Sequence, residues 1–159
     1  RADVCKVWER IPRDLPTRQV ILRIGIVLSL ESGALPSFKA AAALFGARLG
    51  DGKQWIPWIH VYDTANAMRF LLYREASQGA YNLTAPEPVT NAAFMATAAR
   101  VMRRLPVFPI PRAALTIPLG EMAETVLESQ RVLPQRLLDE GFTFRYPTLE
   151  PALRDLLRG

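Results

Sequence analysis

One cysteine and one histidine, Cys5 and His60, occur in the 159 residues. A lone thiol excludes an internal disulfide and any cysteine-based zinc cage, and it suits a reducing compartment, so a cytoplasmic location is expected. A single histidine cannot build a metal site without other ligands. Lysine is scarce as well, at Lys6, Lys39 and Lys53 only, so the net charge of +5 rests on arginines scattered from Arg1 to Arg158. The longest basic run is the pair Arg103-Arg104, too little for a nucleic-acid stripe. No apolar run approaches the roughly 20 residues that span a bilayer, and the longest, Val20 to Leu30, is interrupted by Arg23. Neither nucleic acid nor membrane is expected as a partner. The chain opens on Arg1 with no charged and apolar leader behind it, which reads as a truncated start with a secretory signal absent or removed.

Two chemical signatures are also missing. A phosphate-cradling Gly-x-Gly-x-x-Gly needs three spaced glycines between a strand and a helix. The nearest match is Gly50-Asp51-Gly52, with Trp55 where the third glycine belongs. A Tyr-x-x-x-Lys pair, in which lysine lowers the pKa of a proton-transferring tyrosine, needs tyrosine four residues before a lysine. Those places hold Ala2, Leu35 and Leu49.

What is present is a hydrophobic half of the composition, enough for the core of one domain with a small appendage. Asp3 to Arg10 has a helical stripe, and Gln19 to Ser29 is an unalternating Val/Ile/Leu run, the pattern of a parallel strand covered on both faces. Such a strand needs neighbours, and few later strands can serve, so the chain reads as part of a larger sheet. A turn at Glu31-Ser32-Gly33 precedes an alanine-rich helix from Pro36 to Ala47, and Gly46, Gly50 and Gly52 mark a loop. Ala80 to Leu83 reads as a strand, and Thr90 caps a helix to about Met102 with Ala93, Phe94, Ala98, Val101 and Met102 inward. Pro106, Pro109 and Pro111 bound an extended link. Helical pieces follow at Ala113 to Ile117, Leu119 to Ser129 and Pro134 to Glu140, with Gly141 as a C-terminal cap and a last helix after Thr148. Phe142, Phe144 and Tyr146 alternate with Thr143 and Arg145 as in a short strand.

The unit from Gln54 to Phe70 joins a strand to a helix through His60. Ile59 and Val61 are expected to face a core and His60 and Tyr62 the other side, with Asp63 or Thr64 capping a helix that carries Ala65, Met68, Leu71 and Leu72. His60 with Asp63 could form a general base and its orienting carboxylate, but no serine or cysteine lies near in sequence, and a structural role is the better reading. Glu121, Glu124 and Glu128 share a helix face, most simply a solvated one. Trp55, Trp58 and Phe70 read as packing, and Arg131 with Arg136 offers an anion site as a secondary reading.

Three segments in combination are specific: Leu22 to Ser29, Trp58-Ile59-His60-Val61-Tyr62-Asp63, and Gly79 to Pro86 with Pro88-Val89-Thr90-Asn91. They resemble the extended short-chain dehydrogenase/reductases. The tail, with Leu119 to Ala123, Ser129 to Pro134 and Gly141 to Pro147, is similar to the atypical branch of NAD-dependent epimerase/dehydratase proteins, some of them labelled cell-division inhibitors. The resemblance implies an α/β fold, the C-terminal part of a Rossmann-type parallel sheet plus a small helical C-terminal lobe, divided as residues 1–104 and 105–159. It implies NAD or NADP in a full-length parent and none for this chain alone, because the family's glycine-rich loop and catalytic tyrosine precede the matched region. Gly25, Ile26 and Val27 would end the strand that passes the nicotinamide. Leu28, Leu35, Lys39, Gln54 and Trp55 would lie on the substrate side, facing a small molecule, and a homo-oligomer is expected. Where nucleotide-sugar epimerases of the superfamily carry an Arg-Asp pair, this chain has Ile56 and Pro57, so the diphosphate clamp is missing. The implied function is the substrate-facing portion of an NAD(P)-dependent epimerase/dehydratase or reductase-like protein, catalytically incomplete as given. The alternative is a non-catalytic interaction protein that keeps the fold as a scaffold.

Overall fold

The computed structural model describes residue 9 and residues 16–31, 33–45, 51–103 and 129–158. The expected helix from Asp3 to Arg10, apart from Glu9, lies outside these residues, as do the proline link from Pro106 to Pro111, the helical pieces Ala113 to Ile117 and, apart from Ser129, Leu119 to Ser129, and Glu121, Glu124 and Glu128.

The apolar run near the N-terminus forms two strands rather than one. Strand β1 (Val20–Ile24) pairs in parallel with β5 (Gly79–Leu83), and β2 (Ile26–Leu28) pairs in parallel with β4 (Trp58–His60). The parallel expectation holds; the single strand does not, because the run changes neighbours at Gly25. Its amide donates to Leu83 O at 3.1 Å, while the next amide, of Ile26, donates to Pro57 O at 2.7 Å. Ala85 N to Trp58 O, at 2.6 Å, stitches the two pairs together. A third pair, β3 (Trp55–Ile56) with β6 (Val89–Thr90), is antiparallel. Coverage on both faces also fails for β1, whose Arg23 and Ile24 are exposed within this chain.

Helix α1 (Leu35–Phe45) begins just after Gly33, whose positive φ of 83° suits a residue without Cβ. Helix α2 (Val61–Tyr73) follows β4 directly, α3 (Asn91–Val101) follows β6, and α4 (Gln135–Asp139) and α5 (Leu149–Arg158) form the tail. Thr90 caps α3 as expected, its Oγ1 accepting from Ala93 N at 3.3 Å. The inward face of α3 holds Phe94, Met95, Ala98, Ala99 and Val101, whereas Ala93 is exposed. Gly141, at φ 85°, ends α4. Its amide reaches Leu138 O at 3.0 Å and that of Phe142 reaches Leu137 O at 2.8 Å, the two bonds of a Schellman cap.

Two apolar clusters divide the sheet's faces. Leu28, Leu35, Ile56, Trp58, Phe94, Ala98, Leu149 and Leu153 form one; Ile59, Ala67, Leu71, Tyr81, Leu83, Leu137, Phe142 and Phe144 form the other. Adjacent residues Trp58 and Ile59 enter opposite clusters, as successive side chains of a strand must. Helix α5 thus shares a core with β2, β3 and β4 and lies against α3.

The strand-to-helix unit differs from expectation in three ways. The strand stops at His60, so Val61 and Tyr62 already belong to α2 and are exposed at 40% and 45%. Alternation therefore ends there. The cap is His60 itself, whose Nδ1 accepts from Tyr62 N at 3.0 Å, and neither Asp63 nor Thr64 fills that role. The buried stripe of α2 is Asp63, Thr64, Ala67 and Leu71, while Ala65, Met68 and Leu72 face outward. Similarly, Phe142 and Phe144 are buried and Thr143 and Arg145 exposed, yet among the described residues the segment pairs with no strand. Two of its amides bond a carboxylate instead.

Candidate functional site

Strands β1 and β5 run in parallel and end together at Ile24 and Leu83. Just beyond their carboxyl ends lie Gly25 and Thr84, at the place where the chain abandons one partner strand for another. In open α/β sheets, ligands bind outside the carboxyl ends of strands where the neighbours diverge. A Cβ on Gly25 would press into the Pro57 carbonyl oxygen and lie 3.0 Å from Thr84 Cγ2, so only glycine fits between these backbones. The Thr84 hydroxyl is buried and has no hydrogen-bond partner among the described residues. A buried hydroxyl left unmatched costs free energy, which makes Thr84 a polar group in want of a partner at this junction. Its place was not legible in the sequence, where it is one threonine after a short strand.

Of the expected cofactor residues, Gly25, Ile26 and Val27 are contiguous here, with Val27 registered against Ile59. The expected substrate residues separate into two kinds. Leu28 and Leu35 are 0% and 1% exposed and belong to the apolar core, leaving only their backbone to a ligand, whereas Lys39 is exposed on α1. Gln54 is buried, and its carbonyl accepts from Asn91 N at 2.8 Å. Trp55 is half-buried and brings the tail with it: its amide donates to Ser129 Oγ at 3.1 Å, and the Arg131 guanidinium lies 5.4 Å from its ring centre. Ile56 is buried in the core and Pro57 turns its carbonyl to β2, so neither supplies a cation.

Arg136, the other arginine of the tail, is committed elsewhere. It donates to Ala80 O at 2.9 Å and to the Tyr81 hydroxyl at 2.9 Å, and its guanidinium lies 4.0 Å over the Tyr81 ring. Tyr81 and Ser77 in turn donate to Glu140 at 2.6 and 2.8 Å. Burial opposes ionisation of Glu140, but these two hydrogen bonds, with Arg74 and Arg136 nearby, hold its carboxyl below the usual range. This network ties α4 to β5.

His60 is 2% exposed. Because Nδ1 accepts the Tyr62 amide, the neutral ring carries its proton on Nε2, which lies 3.3 Å from Asp155 Oδ2 without the alignment of a hydrogen bond. The Tyr146 ring stacks on the imidazole at 4.0 Å and its hydroxyl donates to Asp155 Oδ1 at 2.7 Å. Burial pushes the His60 pKa below its ordinary 6.5, and the nearby Asp155 and Asp63 only partly offset this. Asp63 does not orient the imidazole. Its carboxylate accepts from Arg145 N and Tyr146 N, partners that no local pattern reveals. Among the described residues no group of three His, Cys, Asp or Glu could hold a metal ion, and no helix is long and apolar enough to cross a membrane.

Comparison with known proteins agrees with this geometry. A domain of unknown function, DUF1731, matches residues 110–156. An epimerase family protein of Staphylococcus aureus (strain MRSA252) is 41% identical over 160 residues, covering 98% of this chain and 53% of that protein. A crystal structure of human epimerase family protein SDR39U1 (isoform 2) with NADPH superposes with a TM-score of 0.88 at 33% identity, covering 99% of this chain and 55% of the human one. The nucleoside-diphosphate sugar epimerase of Corynebacterium glutamicum does so with a TM-score of 0.78 at 28% identity, over 98% of this chain and 30% of that one. The chain spans about half the length of the curated relatives it matches. The fold is Rossmann-type α/β, and over nearly its whole length the chain is similar to epimerase family proteins, of which it covers about half.

Proposed function

We propose that this chain is the substrate-facing C-terminal portion of an NAD(P)-dependent epimerase/dehydratase or reductase-like protein, with residues 1–104 completing the cofactor-binding sheet and residues 105–159 forming a mainly helical lobe. The observation that carries the reading is the divergence of strand neighbours at Gly25, where only a glycine fits and the Thr84 hydroxyl stands unmatched. Its fit to a dinucleotide is partial. Backbone at Gly25, Ile26 and Val27 can approach a flat ring closely, while the sequence holds neither a pyrophosphate-binding glycine loop nor a tyrosine-lysine pair. The cofactor, when bound to the whole protein, supplies hydride transfer; this chain shapes the pocket and helps exclude water. Lys39, Gln54 and Trp55 would meet the substrate, with Leu28 and Leu35 contributing backbone and shape. Ile56 and Pro57 argue against a clamped diphosphate, so a small substrate other than a nucleotide sugar is favoured.

Titration with NADPH, followed by its fluorescence, tests the proposal. Micromolar binding is expected for the full-length protein and none for residues 1–159 alone. Tight binding by the 159-residue chain, or none by the full-length protein, overturns it. A second reading, a non-catalytic interaction protein that keeps the fold, is favoured by the apolar residues that α2 leaves exposed, Leu72 at 65% and Tyr73 at 78%.

A further inference from the structure

Away from the Gly25 junction, a groove of about 760 Å³ runs along α2. One wall is a ridge of that helix, with Tyr62, Asn66, Arg69, Phe70 and Tyr73 at three- and four-residue spacing. The other wall is the segment after α4, which contributes Phe142, Phe144 and Arg145. The floor is aromatic: Phe70 and Phe142 meet edge to face at 5.5 Å, and Phe142 and Phe144 at 4.8 Å. From Tyr62 to Arg74 the ridge extends about 18 Å at 1.5 Å per residue. That length suits an extended chain of about five or six residues, and the groove is open along it rather than closed over a small molecule.

The charge in this groove is one-sided. Three arginines line it, and among the described residues only Arg74 forms an ion pair, with Glu140 at 3.1 Å. Arg145 rests over the Tyr62 ring at 4.7 Å and the Tyr146 ring at 5.6 Å. Arg69 has no ion-pair or hydrogen-bond partner among the described residues. The single carboxylate in the lining, Asp63, already accepts two backbone amides. A second copy of a chain with net charge +5 would set these arginines against their own kind. An acidic partner complements them.

We propose that this groove docks a short extended segment of a partner protein, with an apolar or aromatic side chain on the phenylalanine floor and carboxylates on either side of it, one for Arg145 and one for Arg69. The two arginines are seven helical positions apart through Tyr62, about 10 Å, so the carboxylates stand about two to four residues apart in the partner. Fluorescence polarisation tests this with the labelled peptides Ser-Glu-Phe-Leu-Glu-Ser and Ser-Gln-Phe-Leu-Gln-Ser. The acidic peptide is expected to bind at least tenfold more tightly than its glutamine form. Arg69→Glu and Arg145→Glu should each weaken the acidic peptide tenfold or more at unchanged melting temperature, and Arg103→Glu, outside the groove at the end of α3, should change it less than twofold. Equal binding of the two peptides, no binding of either at about 1 mM, or an equal loss in the Arg103 variant would overturn the proposal.

Discussion

The Asp63 carboxylate accepts the backbone amides of Arg145 and Tyr146, one on each oxygen, at 2.8 and 2.9 Å. These residues are 82 and 83 positions apart, and Asp63 is 1% exposed, so a buried side chain in the first turn of α2 fixes the path of the chain into α5. Charge-assisted bonds of this kind contribute about 1.5–3 kcal/mol each when buried. Asp63→Ala is expected to lower stability by about 3 kcal/mol in urea denaturation, and Asp63→Asn, which keeps one acceptor oxygen, by about half of that. A change below about 0.5 kcal/mol for the alanine variant would remove the carboxylate from this role.

The His60 imidazole should make the fold sensitive to mild acid. Its folded pKa is held below 6.5, so between the folded and unfolded values the unfolded chain binds more protons. Stability is then fully present above 6.5 and is lost as pH falls below it. Burial is the main cause; Asp155 and Asp63 oppose it, and Arg145 adds to it. His60→Asn keeps an acceptor for the Tyr62 amide and should flatten the dependence of the urea midpoint on pH between about 7.5 and 5.5. An unchanged slope in that variant would assign the sensitivity elsewhere.

Gly25 is irreplaceable for steric reasons, not for its dihedral angles. A methyl group there meets backbone at Pro57, which cannot swing aside as a long side chain would, with Thr84 Cγ2 at 3.0 Å beside it. Gly25→Ala should cost about 1–3 kcal/mol and Gly25→Val more, with NADPH affinity of the full-length protein falling as well. A stable alanine variant that binds NADPH normally would separate this residue from both roles.

The outer side of β1 predicts the behaviour of the 159-residue chain in isolation. Among the described residues β1 pairs with β5 alone, and Ile24 is 45% exposed. An unpaired edge of this kind is a template for another chain, although Arg23, in a two-pronged pair with Glu9 at 2.7 Å, places charge along it. Self-association is expected in sedimentation velocity. A monodisperse monomer would mean that the edge is already protected.

Sequence patterns reached the elements whose causes are local. The Thr90 cap, the Gly141 cap and the helix near Pro36 depend on residues a few positions apart, and each forms in its expected place. The same patterns failed where a distant contact overrode a local preference. Asp63 is a residue type suited to a helix cap but bonds the tail, His60 takes the cap, and Phe142 to Tyr146 alternate without joining a ladder among the described residues, with Asp63 taking the amides of Arg145 and Tyr146. The family motifs were legible because they lie in short contiguous stretches. Thr84 as an unmatched hydroxyl, Arg131 over Trp55 and the arginine-lined groove were not, since each requires segments that meet only after folding.

The sequence by itself determined the parallel character of the Val/Ile/Leu run, which follows from residue type along the chain, and it carried the class of fold through contiguous motifs that resemble a known family, from whose phosphate clamp Ile56 and Pro57 depart. Only the tertiary structure decided that the run breaks at Gly25, which residues of α2 face inward, and where charge remains uncompensated. Hydrophobic periodicity states that a face is buried, but the partner that buries it, and the carboxylate or carbonyl that claims each polar group, is chosen by packing between positions far apart in sequence.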